Sequence, residues 1–196
     1  MAALSDVDIC NLAQQKLGAS DPIGSIVSPQ GTAARAYAIL YPHYRDVELR
    51  GRRWRFALAE DHPVPLLAGR TTDDEYPYRY SLPENSLRVI RDKLDRYKQV
   101  GQELWSQTGA ATLKIDYIRS DIESGYFDPN FVEVLACRLA YERCEKATQS
   151  NTKKQELRAM WKEAITVAGQ MNAFITGPET YGEDDGQYSW ITERYL

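Results

Sequence analysis

The sequence predicts an α+β fold: a helical bundle with an inserted small antiparallel β lobe and an extended C-terminal arm. Three observations carry that reading. Apolar residues recur at helical spacing before residue 53 and again after residue 119, and the period falls to two between them. Beyond Gly177-Pro178 no periodicity remains. The expected division is therefore 1–53 with 119–175 for the bundle, 54–118 for the lobe and 176–196 for the arm.

The first helix starts at a capping-box pattern, Ser5 with Asp8, carries Ile9, Ala13 and Leu17 on one face, and stops at Gly18, which supplies a left-handed residue. After a loop rich in Gly, Pro and Ser, Thr32 is expected to cap a second helix with Ala33, Ala36, Leu40, Tyr44 and Val47 on one face. Pro42 falls inside it. An interior proline costs about 3 kcal/mol, so the helix either kinks with packing overriding the proline or breaks near Leu40; the kink is the expected outcome.

From Trp54 the alternation Trp54, Phe56, Leu58 reads as a strand, followed by a loop holding Pro63 and Pro65 and then by alternating Tyr76, Tyr78 and Tyr80. Residues 87–91, 97–100, 103–107 and 112–119 complete a set of short strands, with Gly101 and Gly109 at positions suited to tight turns. Asp128 and Pro129 then form an N-cap and first-turn pair opening a helix that is apolar on two sides. Phe131, Leu135 and Leu139 make one ridge; Val132, Ala136, Ala140 and Cys144 make the other, so neighbours should cover most of its surface. A last helix over about 152–175 places Leu157, Met160, Trp161, Ala164, Ala168, Met171 and Ile175 toward it and ends at Gly177-Pro178.

The chain has 196 residues, enough for one substantial core or a core with a small lobe. No apolar run approaches bilayer length, and no charged-then-apolar leader opens the chain, so neither a membrane span nor export is expected. Cys10, Cys137 and Cys144 lack C-x-x-C spacing and read as small buried hydrophobes. With only His43 and His62 as imidazoles, no structural zinc site and no cofactor is expected. The net charge of −4 is unevenly distributed. Glu179, Glu183, Asp184, Asp185 and Glu193 against Arg194 account for all of it, leaving a neutral body that does not demand nucleic acid.

No nucleophile-base pair, metal cluster or phosphate loop is recognisable. Gly18 and Gly24 lack dinucleotide or Walker spacing. Acidic pairs such as Asp73 and Asp74 satisfy the bare requirement of glycoside hydrolysis, but such pairs occur in most surface loops. The chain is therefore not expected to be an enzyme.

Two features suggest binding. Arg50, Arg52, Arg53 and Arg55 cluster at the second helix exit, where they are solvated, pair with carboxylates of the C-terminal tail or of a neighbouring copy, or contact DNA phosphates without reading sequence. The arm is the stronger feature: Tyr181, then Tyr188, Trp190, Ile191, Tyr195 and Leu196, is too much apolar surface in too short a segment to form a core. Its expected role is to dock on a partner.

A family resemblance joins these pieces. The run Ile115-Asp116-Tyr117-Ile118-Arg119-Ser120-Asp121, followed by Phe127-Asp128-Pro129, Leu135-Ala136-Cys137-Arg138-Leu139-Ala140 and Thr148-Gln149-Ser150, resembles the strand-to-helix passage of the tail tubular protein A family, the head-to-tail adaptors of short-tailed phages. Asn11-Leu12-Ala13 with Leu17-Gly18 is similar to that family's first helix. Arg50-Gly51-Arg52-Arg53-Trp54-Arg55-Phe56 is similar to its Arg-Gly-x-x-Trp-x-Phe helix exit, and Leu82 to Val89 to its Leu-Pro-x-x-x-Leu-Arg-Val segment. Residues 59–75 give no match. The resemblance implies a structural virion protein at the head–tail junction, assembled in the host cytoplasm. It implies a dodecameric ring that joins portal protein to tail nozzle protein and lets double-stranded DNA pass without sequence-specific contacts. Two other classes fit the residues: a cytoplasmic DNA-binding accessory protein using the Arg50 to Arg55 cluster, and a small cell-wall hydrolase.

Overall fold

The structure, a computed structural model, describes residues 4–19, 21–90 and 96–176, with side chains to residue 172. The fold is α+β. Helices α1 (Asp6–Leu17) and α2 (Gly31–Gly51) lead through a short 3-10 turn (Arg55–Ala57) into strands β1 (Leu58–Pro65), β2 (Tyr78–Ser81), β3 (Ser86–Val89), β4 (Tyr97–Val100), β5 (Glu103–Ser106) and β6 (Thr112–Arg119). Helices α3 (Pro129–Thr148) and α4 (Asn151–Thr176) close the described chain.

The strands form two antiparallel sheets, in the orders β1-β6-β3 and β2-β5-β4. The sheet containing β6 is a shared wall. Ile115 and Tyr117 face a core with Val64, Val89, Tyr80, Leu82 and Leu104 between the sheets. Ile118, with partly buried Leu58 and Leu87, belongs instead to the helical core. Strand alternation thus feeds two cores from one strand.

α1 has the expected capping box, with Ser5 Oγ accepting from the Asp8 N–H at 3.2 Å, and ends at Gly18 with φ of 80°. α2 corrects two expectations. Gln30, not Thr32, is its N-cap, with no side-chain cap bond, and the fully buried positions are displaced by one residue, to Ala34, Tyr37, Tyr41, Glu48 and Leu49, while the expected Ala33, Leu40 and Tyr44 are partly buried against the same core. Val47, placed on the packed face from spacing, is exposed. The helix continues through Pro42 without a break. Anchors on the N-terminal side of the proline hold it: Tyr37 and Tyr41 are buried, and the Tyr41 hydroxyl donates to Asp6 at 2.7 Å.

The strand expected at Trp54 is a 3-10 turn. Trp54 is buried in the helical core, its indole N–H donates to the Glu48 carbonyl at 2.9 Å, and its ring packs edge-on to Phe131 at 5.0 Å. Pro63 and Pro65, expected in a loop, lie in β1. That strand is an edge. The Leu66 N–H bonds Ala111 at 3.1 Å, so the positions of opposite parity, 63 and 65, face away from β6 and need no donor. Gly109 is required by close approach: a Cβ there would lie 2.4 Å from the Tyr78 ring.

α3 is the centre of the bundle, packed against α1, α2 and α4. Both predicted ridges are buried, from Phe131 to Cys144. Leu157 and Ala168 of α4 are buried, but Met160 and Met171, assigned to the packed stripe from spacing, are substantially exposed.

Candidate functional site

The four clustered arginines diverge. Arg50 is exposed and forms no ion pair among the described residues. The Arg52 guanidinium lies against Gly169 of α4, where a Cβ would stand 2.9 Å from Nη1, so the glycine admits it. Arg55 pairs with Glu60 at 2.5 Å. Arg53 lines a groove of about 660 Å³ with Arg88, Val89, Ile90, Tyr97, Lys98 and Gln99. Helix exit, 3-10 turn and strand each turn the backbone, so neighbours in sequence point to different surroundings.

The sequence reading missed Arg88 and Lys98, which the sheets bring beside Arg53. Lys98 Nζ lies 3.1 Å from Asp73 Oδ2 and 5.7 Å from the Trp105 ring centre. The Lys98 bond holds the Asp73 carboxyl below the usual carboxylate range, and Asp73 also accepts the Glu75 N–H at 3.1 Å. Asp73, one of the acidic pair considered for hydrolysis, is thus bound into its own loop.

Within the helical core, the Arg138 guanidinium stacks between Tyr44 at 4.8 Å and Trp161 at 4.3 Å, joining α2, α3 and α4, and pairs with Glu142 at 2.8 Å. Arg is suited to this position because its planar cation stacks on aromatic faces while its edge makes hydrogen bonds. Burial pushes the Glu48 carboxyl up, with Arg138 and Arg52 acting in the opposite direction.

All three cysteines are buried, as expected, and burial pushes Cys10 to about 12 and Cys137 to about 11. Thiols of that kind are nearly all protonated and poorly nucleophilic near neutrality. His43 is exposed beside Tyr44, and His62 packs edge-on to Tyr117 at 5.3 Å. Among the described residues no His, Cys, Asp and Glu group is arranged to hold a metal ion, and no helix is long and apolar enough to cross a membrane.

The segments that carry the family resemblance sit at junctions. Asn11 clamps Ile23 from both sides, accepting its N–H at 2.7 Å and donating to its carbonyl at 3.1 Å. Trp54 plugs the bundle at the α2 exit. In the Leu82 to Val89 segment, Leu82 and Val89 are buried and the Asn85 carbonyl accepts the Ser120 N–H at 2.9 Å. Tyr181, Tyr188, Trp190, Ile191, Tyr195 and Leu196 of the arm lie outside the described residues. No protein-family model matches the chain, and no curated protein matches it.

Proposed function

We propose that the protein is a head-to-tail adaptor of a short-tailed phage, a virion protein whose ring joins the portal to the tail nozzle and forms part of the DNA ejection conduit. The observation that carries this reading is the order of four segments, each resembling the tail tubular protein A family, together with their place at the joints of the fold. Such joints set the shape of a building block. The near-neutral body of the chain is consistent with a conduit, which must let DNA slide past without holding it. The acidic, aromatic last residues supply a docking arm toward the portal. Assembly takes place in the host cytoplasm on a portal template.

The groove lined by Arg53, Arg88 and Lys98 supports a second reading, a duplex-binding accessory protein. One titration separates the two. Duplex binding by the monomer that falls steeply as salt rises supports the second reading. Negligible duplex binding together with co-sedimentation with the candidate portal protein supports the adaptor.

A further inference from the structure

Two exposed apolar stripes on different helices lack a partner within the described chain. On α2, Ile39 is 74% exposed and Val47 43%, with His43 between them at helical spacing. On α4, Met160, Val167 and Met171 are 38–46% exposed at positions i, i+7 and i+11. The α4 stripe borders a groove against α3 of about 230 Å³, lined by Asn130, Glu133, Met160, Glu163, Ala164 and Val167. Ile39 to Val47 spans about 12 Å of helix axis and Met160 to Met171 about 16 Å, so the first stripe fits along the second.

Their charges are opposite. Arg35 and Arg50 share the face of Ile39, both exposed and without an ion pair among the described residues, and the one acid on that face, Asp46, is paired with Arg45 at 2.8 Å. The groove is edged by Glu163, which likewise has no ion-pair partner among the described residues, and by half-exposed Glu133, which pairs with Lys16. We propose that the outer face of α2 in one copy docks into the α3–α4 groove of a second copy, with Arg35 set against Glu163. The faces cannot meet within one copy. Ile39 lies on the side of α2 opposite Tyr37 and Tyr41, which are buried, and α3 packs between α2 and α4. The chain's own last twenty residues are a poorer occupant, because their five acids meet an acidic rim.

Because the two patches differ, the contact is head-to-tail and propagates, giving a ring if the rotation closes and a filament if it does not. It deepens the adaptor reading by naming the faces ring neighbours present, and rests on that reading only for closure. An interface of two short stripes and few charges is weak in dilute solution, so it must be trapped.

The test uses the full chain with Ile39→Cys and Val167→Cys, together and singly, and a short bis-maleimide that tolerates the helix register. Wild-type protein, whose thiols are buried, is the blank. The double variant should give a ladder of dimers, trimers and higher species. The two single variants mixed should give a dimer and nothing beyond, and each alone no more than the blank. Glu163→Arg in the double variant should cut the ladder about two- to five-fold, and adding Arg35→Glu should restore it. No ladder, an equal yield from either single variant alone, or a ladder indifferent to Glu163→Arg would overturn the proposal. So would efficient cross-linking within one chain of a Val167→Cys, Trp190→Cys variant, which would give the groove to the arm. A ladder without portal binding would sink the adaptor reading and leave this contact standing; portal binding without a ladder would do the reverse.

Discussion

Asn172, near the end of α4, donates its side-chain amide to the Arg53 carbonyl at 2.7 Å, and the same side chain accepts the Arg55 N–H at 3.2 Å. One side chain thus satisfies two main-chain groups on either side of Trp54, where the backbone leaves α2 and has no helical partner to offer. It ties the last helix to the turn that enters the β strands. Asn172→Ala should destabilise the protein by about 1–3 kcal/mol, the cost of leaving such groups unpaired. A denaturant midpoint unchanged by the substitution would show that water replaces the amide without loss.

Leu135→Ala or Leu139→Ala should cost about 2–5 kcal/mol, because both side chains are fully buried in the helix that touches α1, α2 and α4. Urea unfolding checks this. A loss below about 1 kcal/mol at both sites would contradict the central place of α3.

Much of this was legible in the sequence, for local reasons. Capping at Ser5 and Asp128, the stop at Gly18 and the two ridges of α3 are set by neighbours along the chain, and the alternation of Thr112 to Arg119 marks a strand that the structure bounds at the same residues. The failures are where tertiary contacts decide. Trp54 and Phe56 alternate like a strand, yet Phe56 lies 5.2 Å from Phe131 and 5.7 Å from Phe127, and the aromatic cluster of the bundle captures both rings. Pro63 and Pro65 look like loop residues until the strand order makes β1 an edge. The shift of α2's fully buried positions by one residue depends on Tyr37 and Tyr41 reaching Gln14 and Asp6, partners far away in sequence. At the site, the arginine cluster was visible, but its dispersal and the arrival of Arg88 and Lys98 were not, since strand pairing sets both.

The β sheets should respond to acid through Glu103. Arg79 donates to it with both arms of its guanidinium, and Trp105 Nε1 donates at 2.9 Å. The Arg79 bond first, and the Trp105 bond second, hold the carboxyl down at about 2. A carboxyl depressed in the folded state stabilises the fold at pH values above its unfolded pKa, near 4.5, and that contribution fades as pH falls toward 2. Glu103→Gln should therefore lower stability at pH 7 and flatten the loss between pH 4.5 and 2 relative to wild type. Burial raises Glu48, so its ionisation acts in the opposite sense, and only the difference between wild type and variant isolates Glu103. Parallel pH curves for the two proteins would contradict the assignment.

Removing residues 178–196 should leave the melting midpoint almost unchanged and abolish co-sedimentation with the portal. Trp190→Ala with Tyr195→Ala should reproduce most of that defect, since large aromatic anchors carry a disproportionate share of binding energy at interfaces. A large fall in melting temperature would show that the arm packs on its own body instead. Normal co-sedimentation of the truncated chain would end the docking-arm account.

The central claim is that this chain is an adaptor, and electron microscopy of the full chain mixed with its candidate portal protein tests it most directly. The account predicts an added ring, coaxial with the portal and with an open lumen, at one end of the portal particle. Bare portals beside dispersed monomers, at protein concentrations where both species are folded, would contradict it.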